Sequence, residues 1–443
     1  MLLPLLLVTA AQPLTLDEAI DFASEHAATV IVAREDVVLV DVEHMTALSA
    51  ILPRLDMSAG ASGILTHTTI DEDATGGPIL PGQPIPGMSD EETNLQGQLS
   101  FGLTARQLIF DGGRWWKAIA RVSDVEASRR ATLRSIENEV RALTTRAFYA
   151  LGKADYALKT IDQRVALSEE QLDRAKTLVE VGRGTSRDVA TAERNLTSDL
   201  IERENLLLNR KLAEQALNIQ MGRPAPTGVQ LVMTPDVRSS TVAISVPARD
   251  RLTKAALHHR PDLEQQRAEM EAATKDIDIA KADYWPTLAL QLSYQRNNPP
   301  SSFFSSPLQD FFTAASLQLQ WNLFEGRATD ARVQRARIEL RKLVATLDDN
   351  VRRAISNVDE QLGQLEKQRR IHTLSKRGVR AAEEAVRLAR GLFEAGRGTA
   401  LELRDAEINL TAAQRTMVEA RYDIEVAKED LRRAVGIDLA EVP

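Results

Sequence analysis

The chain has 443 residues with no cysteine, a net charge of −8, 27% charged residues and only 4% aromatics. The missing thiols exclude disulfides, thiolate metal sites and cysteine nucleophiles. The acidic balance argues against a general nucleic-acid binder. What remains is a composition rich in Ala, Leu, Arg and Glu, which suits long helices.

Residues 2–8 (LLPLLLV) form a short apolar run followed by Thr9-Ala10-Ala11-Gln12, so residues 1–11 read as an export signal with its cleavage site. No later stretch approaches 18 apolar residues, and no membrane-spanning helix is expected. Leu16–Ala50 reads as one helix. After Pro53 the period changes to two: Leu55, Met57 and Ala59 alternate with Arg54, Asp56 and Ser58. The Gly- and Pro-rich stretch Thr66–Thr93 reads as a surface loop, in which Asp71 and Asp73 only faintly echo a calcium loop. A second strand follows, with Leu99, Phe101 and Leu103 on one face, and ends at FDGGR, Phe110–Arg114.

From Arg114 to Val181 the chain has no proline and only Gly152, a run that helix alone ordinarily tolerates. At 1.5 Å per residue it would be roughly 100 Å long. Ile136, Val140, Leu143, Ala147, Ala150, Ala154, Ala157 and Ile161 recur in steps of four and three, a coiled-coil seam. The spacing then slips to Val165, Ser168, Leu172, Ala175 and Val179, which locally changes the supercoil. VGRGT, Val181–Thr185, reverses the chain into a helix over Ser186–Gln220. The prolines of Gly222–Pro247 break the pattern and mark a linker, assigned to residues 222–249.

The remainder repeats this plan. Asp250–Asp283 reads as a helix; Leu288, Leu290, Leu292 and Tyr294 form one strand face, and Leu317, Leu319, Trp321 and Leu323 another. Phe303, Phe304, Phe311 and Phe312 fall in the connecting loop. FEGR at Phe324–Arg327 opens a second long run to Ala395, AGRGT at Ala395–Thr399 turns it, and Ala400–Val435 closes the chain. The turn motifs recur at offsets of 213 and 214, whereas Pro53 and Pro286 are 233 apart. The chain is thus one duplicated module, 12–221 and 250–443, with an insertion in the first copy. The predicted fold is mainly α with a β-barrel part. Trp115, Trp116, Trp285 and Trp321 stand in or at the ends of the strands, as in the aromatic girdles of outer-membrane barrels. Four strands cannot close a barrel and an open edge is forbidden in lipid, so oligomerisation is expected, with a trimer giving twelve strands and a lumen. A half-buried soluble sheet shows the same alternation, and a soluble periplasmic coiled-coil scaffold is the rival reading.

In LTLDEAI (Leu14–Ile20), ALHHRPDL (Ala256–Leu263), the proline-started strands and the paired FDGGR/FEGR and VGRGT/AGRGT turns, the chain resembles the TolC-like outer membrane efflux proteins over nearly its whole length. The resemblance implies a homotrimer with a twelve-stranded barrel in the outer membrane and a long helical barrel crossing the periplasm. The linker would lie in an equatorial belt. The trimer would contact outer-membrane lipid and act as exit duct for an inner-membrane pump joined by a periplasmic adaptor protein. It also implies that the turns, Val181, Gly182, Gly184 and Thr185 with Ala395, Gly396, Gly398 and Thr399, form the tip where the adaptor docks. Glu402 and Asp405 would supply an acidic ring at a closed aperture, with Phe393, Arg397 and Asp188 as candidate gate residues. The plain alternative for the acids is a favourable charge at a helix start. No catalytic constellation, cofactor motif or metal spacing is expected: the six histidines show no HExxH pattern, and GRGT lacks the lysine and length of a phosphate loop. Lys367–Arg380 reads as a solvated basic helix face.

Overall fold

The computed structural model describes residues 13–69, 91–224, 228–231, 246–297, 301–302 and 310–442. The expected signal peptide, the candidate calcium loop, most of the linker, and Phe303 and Phe304 lie outside them. In chain order the elements are β1 (Pro13–Leu14), α1 (Leu16–His26), α2 (Ala28–Ser49), β2 (Arg54–Thr69), β3 (Glu91–Phe110), α3 (Arg114–Glu180), α4 (Ser186–Met221), β4 (Gln230–Leu231), α5 (Arg249–His259), α6 (Pro261–Lys281), β5 (Thr287–Asn297), β6 (Ser301–Ser302), β7 (Asp310–Gln320), α7 (Ala328–Glu394) and α8 (Ala400–Val435). Both proline-free runs are single helices of 67 residues.

The chain divides into a strand-bearing unit, Asp41–Asp124 with Glu271–Arg341, and a helical unit made of the residues up to Val40, Val125–Met270 and Lys342 onward. In the strand-bearing unit the antiparallel order is β2-β3-β5-β7, leaving β2 and β7 as edges. Register brings most of the apolar positions to one face: Leu55 pairs with Ala105, Ala105 with Leu292 and Leu292 with Ala315, while Met57 pairs with Leu103 and Leu103 with Tyr294; Leu108, Ala289 and Phe312 fall on the other. The other face carries Asp56, Thr104, Ser293 and, a row on, Ser58, Gly102 and Gln295. Met57, Leu317 and Leu319 are 70, 65 and 64% exposed, so among the described residues nothing covers this apolar face at these positions. β2 and β3 are 16 and 20 residues long against 11 for β5 and β7, so Thr66–Thr69 and Glu91–Thr93, expected as loop, are strand. Phe311 and Phe312, also expected in a loop, belong to β7.

The helical unit has two equivalent cores. Ala19, Ala23 and Val30 pack with Val140, Phe148, Leu151, Leu217 and Met221 in the first; Leu252, Ala255 and Ala256 pack with Val358, Leu365, Ile424, Leu431 and Val435 in the second. Near the first core α3 is buried on several sides, at Ala142, Thr144, Thr145, Phe148 and Leu151, and Ala150 of the expected seam is exposed. Each of the two shorter helices is broken: Ala27 and Arg260 are extended, splitting Leu16–Ala50 and Asp250–Asp283. At Arg260 the following Pro261 disfavours helix. Ala27 carries no such signal. Its explanation is packing, because the left-handed glycine that caps α4, Gly222, seats its α-carbon against the His26 carbonyl; Gly436 does the same to His259. A methyl group built at either glycine would lie 2.5 Å from that oxygen.

Candidate functional site

The two tight turns are built alike. Gly182 and Gly396 adopt φ of 72° and 69°, the left-handed region where glycine is favoured. The N–H groups of Arg183 and Gly184 donate to the Leu178 carbonyl at 2.8 and 2.9 Å, and those of Arg397 and Gly398 to Leu392 at 2.9 and 3.0 Å. Gly184 and Gly398 serve differently. A Cβ there would crowd Val179 N at 3.0 Å and Phe393 N at 3.1 Å, so they permit close approach. Thr185 and Thr399 cap the returning helices in capping boxes with Asp188 and Glu402. Thr185 Oγ1 donates to Asp188 at 2.7 Å and the backbone N–H of Thr185 donates at 2.9 Å, which holds the Asp188 carboxyl below its ordinary range.

Glu402 therefore works as a helix cap, its Oε2 accepting the Thr399 N–H at 2.8 Å. Asp405, one turn on, is exposed. Phe393 is half-buried in the last turn of α7, at the end of the seven-residue series His372, Val379, Val386, while Arg397, Val181 and Ala395 are exposed. Asp188 holds the same capping position at the start of α4.

Above the turns lies a constellation that sequence reasoning missed. Asp199 on α4 and Ser168 on α3 are both 2% exposed, and Ser168 Oγ donates to Asp199 Oδ2 at 2.5 Å. Arg164 of α3 pairs with Asp199 at 3.0 Å and with Glu202 at 2.6 Å. Arg404 of α8 crosses from the second hairpin, donating to Ser168 at 3.1 Å and to Asp199 at 3.3 Å. The readable signal was Asp199 itself, an acid standing between Leu196 and Leu206 in the four-three series that faces α3.

In the strand-bearing unit, Trp115 and Trp116 stack with centroids 3.8 Å apart, in the first turn of α3 rather than in a strand. Trp285 precedes β5 by two residues, and Trp321 follows β7 with Nε1 donating to the Tyr284 carbonyl at 3.1 Å. In this antiparallel sheet the end of β3, the start of β5 and the end of β7 coincide. All four tryptophans thus mark one rim, and Phe311 and Phe312 stand toward the opposite end of β7. Among the described residues no group of three or more His, Asp or Glu side chains is placed to hold a metal ion, and no helix is long and apolar enough to cross a membrane.

A four-stranded sheet with one apolar face, joined in sequence to paired long-helix hairpins, is the build of an outer-membrane channel subunit. The chain belongs to the outer membrane efflux protein family, whose model matches residues 30–223 and 252–437, one segment per copy of the duplicated module. It is similar to the outer membrane efflux protein BepC of Brucella suis, 24% identical over 76% of this chain and 71% of that one. The proteases secretion protein PrtF of Dickeya chrysanthemi is 26% identical, over 75 and 72%. Among solved structures, the Campylobacter jejuni CmeC outer membrane channel superposes with a TM-score of 0.76 at 14% identity, over 96% of this chain and 87% of that one. The open state of the Neisseria gonorrhoeae MtrE outer membrane channel gives 0.73 at 20%, over 96 and 89%. The protein is accordingly an outer membrane channel of efflux or secretion, located in the outer membrane and extending into the periplasm.

Proposed function

We propose that the chain, read as two structural repeats (12–221 and 250–443) around an equatorial linker (222–249), assembles as a homotrimer. Three sheets would then close a twelve-stranded barrel, and the trimer would conduct substrates from an inner-membrane pump through a periplasmic adaptor. The observation that carries this reading is the open sheet: β2 and β7 both present unpaired edges beside a continuous apolar face, a state that lipid does not permit in a single copy. Pairing β7 of one copy with β2 of the next is a heterologous contact that closes by rotation. The helical hairpins have matching free seams. On α7, Leu374, Gly378, Ala381, Ala385, Leu388 and Leu392 follow steps of four and three and are all exposed. On α4, Ile201, Leu208 and Leu212 are 61, 57 and 53% exposed.

In this reading the chain is a duct and not an enzyme, and needs no cofactor. The VGRGT and AGRGT turns are the adaptor-docking tip. Glu402 and Asp405 contribute six carboxylates per trimer at the aperture, where their field favours cations; Phe393 and Arg397 stand beside them. Trp115, Trp116, Trp285 and Trp321 anchor one membrane interface. The test is native mass spectrometry of detergent-extracted protein followed by planar-bilayer recording. A trimer is expected, whose block by a trivalent cation such as hexaamminecobalt weakens in E402A/D405A. A monomer in detergent overturns the assembly, and unchanged block in the double variant leaves both acids as helix-start residues only.

A further inference from the structure

We infer that Arg404 is a positioning residue for the aperture: by anchoring α8 to the first hairpin through the buried Ser168–Asp199 pair, it fixes the rotation of α8 and so the aim of Asp405 and Glu402. This rests on the aperture reading of those two acids. At about 100° per residue, Asp405 and Glu402 lie within roughly 60° of each other on α8, whereas Arg404 lies about 100° from the first and 160° from the second. One helix face is held by the first hairpin and the acids occupy the other side. Arg404 is the polar contact of α8 with the first hairpin nearest the turn among the described residues; Lys153–Asp423, Arg141–Glu429, Arg146–Asp430, Arg432–Asn138 and Arg433–Glu139 follow, beginning some five turns further along α8. Between them and the turn, Arg404 is the link to the first hairpin among the described residues, while Arg390 pairs with Glu407 at 3.2 Å within the second hairpin.

The geometry is specific to a guanidinium. One terminal nitrogen reaches the serine hydroxyl and the other the carboxylate, so rotation of α8 strains two bonds at once. Asp199 is nearly inaccessible and its remaining oxygen is covered by Arg164, which leaves α3, α4 and α8 joined at one point. The device is also one-sided. Arg404 corresponds to Ala190 in the first repeat, and Ser168 and Asp199 correspond to Ala382 and Ala413 in the second, each 214 residues away. A generic packing contact of the duplicated module would recur; this one serves only the hairpin that carries the acids.

The experiment compares Arg404→Met, Arg404→Lys and E402A/D405A trimers in planar bilayers, with hexaamminecobalt added on the tip side. In parallel, Asp405→Cys in this cysteine-free chain is oxidised to cross-link subunits, with and without Arg404→Met. Arg404→Met leaves Asp199 paired with Arg164, so the fold is retained, which trimer melting checks. It is expected to raise the half-blocking concentration about two- to tenfold with both acids present, the effect of moving carboxylates a few ångströms from a cation path, and to lower the yield of the engineered cross-link. Arg404→Lys, which keeps the charge but only one of the two bonds, should fall between, and carries the test if the methionine variant does not assemble. Wild-type block and cross-linking in Arg404→Met and Arg404→Lys, alongside weakened block in E402A/D405A, would overturn the positioning role alone. Unchanged block in E402A/D405A overturns the aperture reading and the inference with it.

Discussion

The glycines that cap α4 and α8 allow a sharp comparison with those of the two tight turns. Gly222→Ala and Gly436→Ala each place an L-residue at a φ of 74° or 90° and drive a methyl group to 2.5 Å from a backbone carbonyl that belongs to another helix. The left-handed conformation costs about 1–2 kcal/mol, and the forced shift of a packed backbone about 1–3 more. Gly182→Ala and Gly396→Ala meet no atom within 4 Å and carry only the first cost. Midpoints of thermal or guanidinium unfolding, measured at one protein concentration and one scan rate because such assemblies unfold under kinetic control, should rank wild type, then the turn variants, then the capping variants. Turn variants as unstable as the capping variants would refute the account of how α4 and α8 seat against the helix breaks.

Other expectations are as direct. Leu292→Arg, at the middle of β5 on the apolar face, should cost about 2–4 kcal/mol in the membrane and deplete trimer from the outer-membrane fraction; Ser293→Arg, on the opposite face, should insert normally and change conductance. Burial, with the cationic Lys376 and Arg421 nearby, depresses the His372 pKa. A depressed folded value means that His372 contributes stability above its unfolded pKa, near 6.5, which is lost as pH falls below that. His372→Phe should therefore flatten the loss of thermal stability between neutral and mildly acidic pH, and an unchanged pH profile would refute it. Asp199→Ala removes the buried carboxylate that Arg404 and Arg164 share, leaving them Ser168 and Glu202; a cost of up to about 3 kcal/mol is expected in denaturation, the low end of the scale for breaking a buried pair.

Much of the fold was legible because its signals are local. Proline-free runs, glycine-rich turns and two-residue alternation each declare an element without reference to the rest of the chain. Where tertiary packing decides, the reading failed. Ala27 carries no breaker, and its extended conformation follows from a glycine 195 residues away in sequence. The outer parts of β2 and β3 were hidden because neighbouring Gly and Pro residues resemble loop. The tryptophans announced strand ends, yet their shared rim emerges only from strand register. Glu402 was flagged for its acidity, and its cap could have been foreseen from the Thr-x-x-Glu spacing. Arg404, its neighbour by two, had no such cue, since its partner Ser168 stands 236 residues earlier.

The two open edges of the sheet also set the genetics of the protein. In the proposed trimer every copy offers β2 to one neighbour and β7 to the other, so a subunit with a spoiled edge fails at a junction it shares with a sound one. In a cell making equal amounts of wild-type chain and an edge variant that still folds its helices, only about one trimer in eight would be free of the variant. Lesions that merely prevent synthesis should therefore be recessive, whereas a proline in the middle of β2 or β7 should act as a dominant poison.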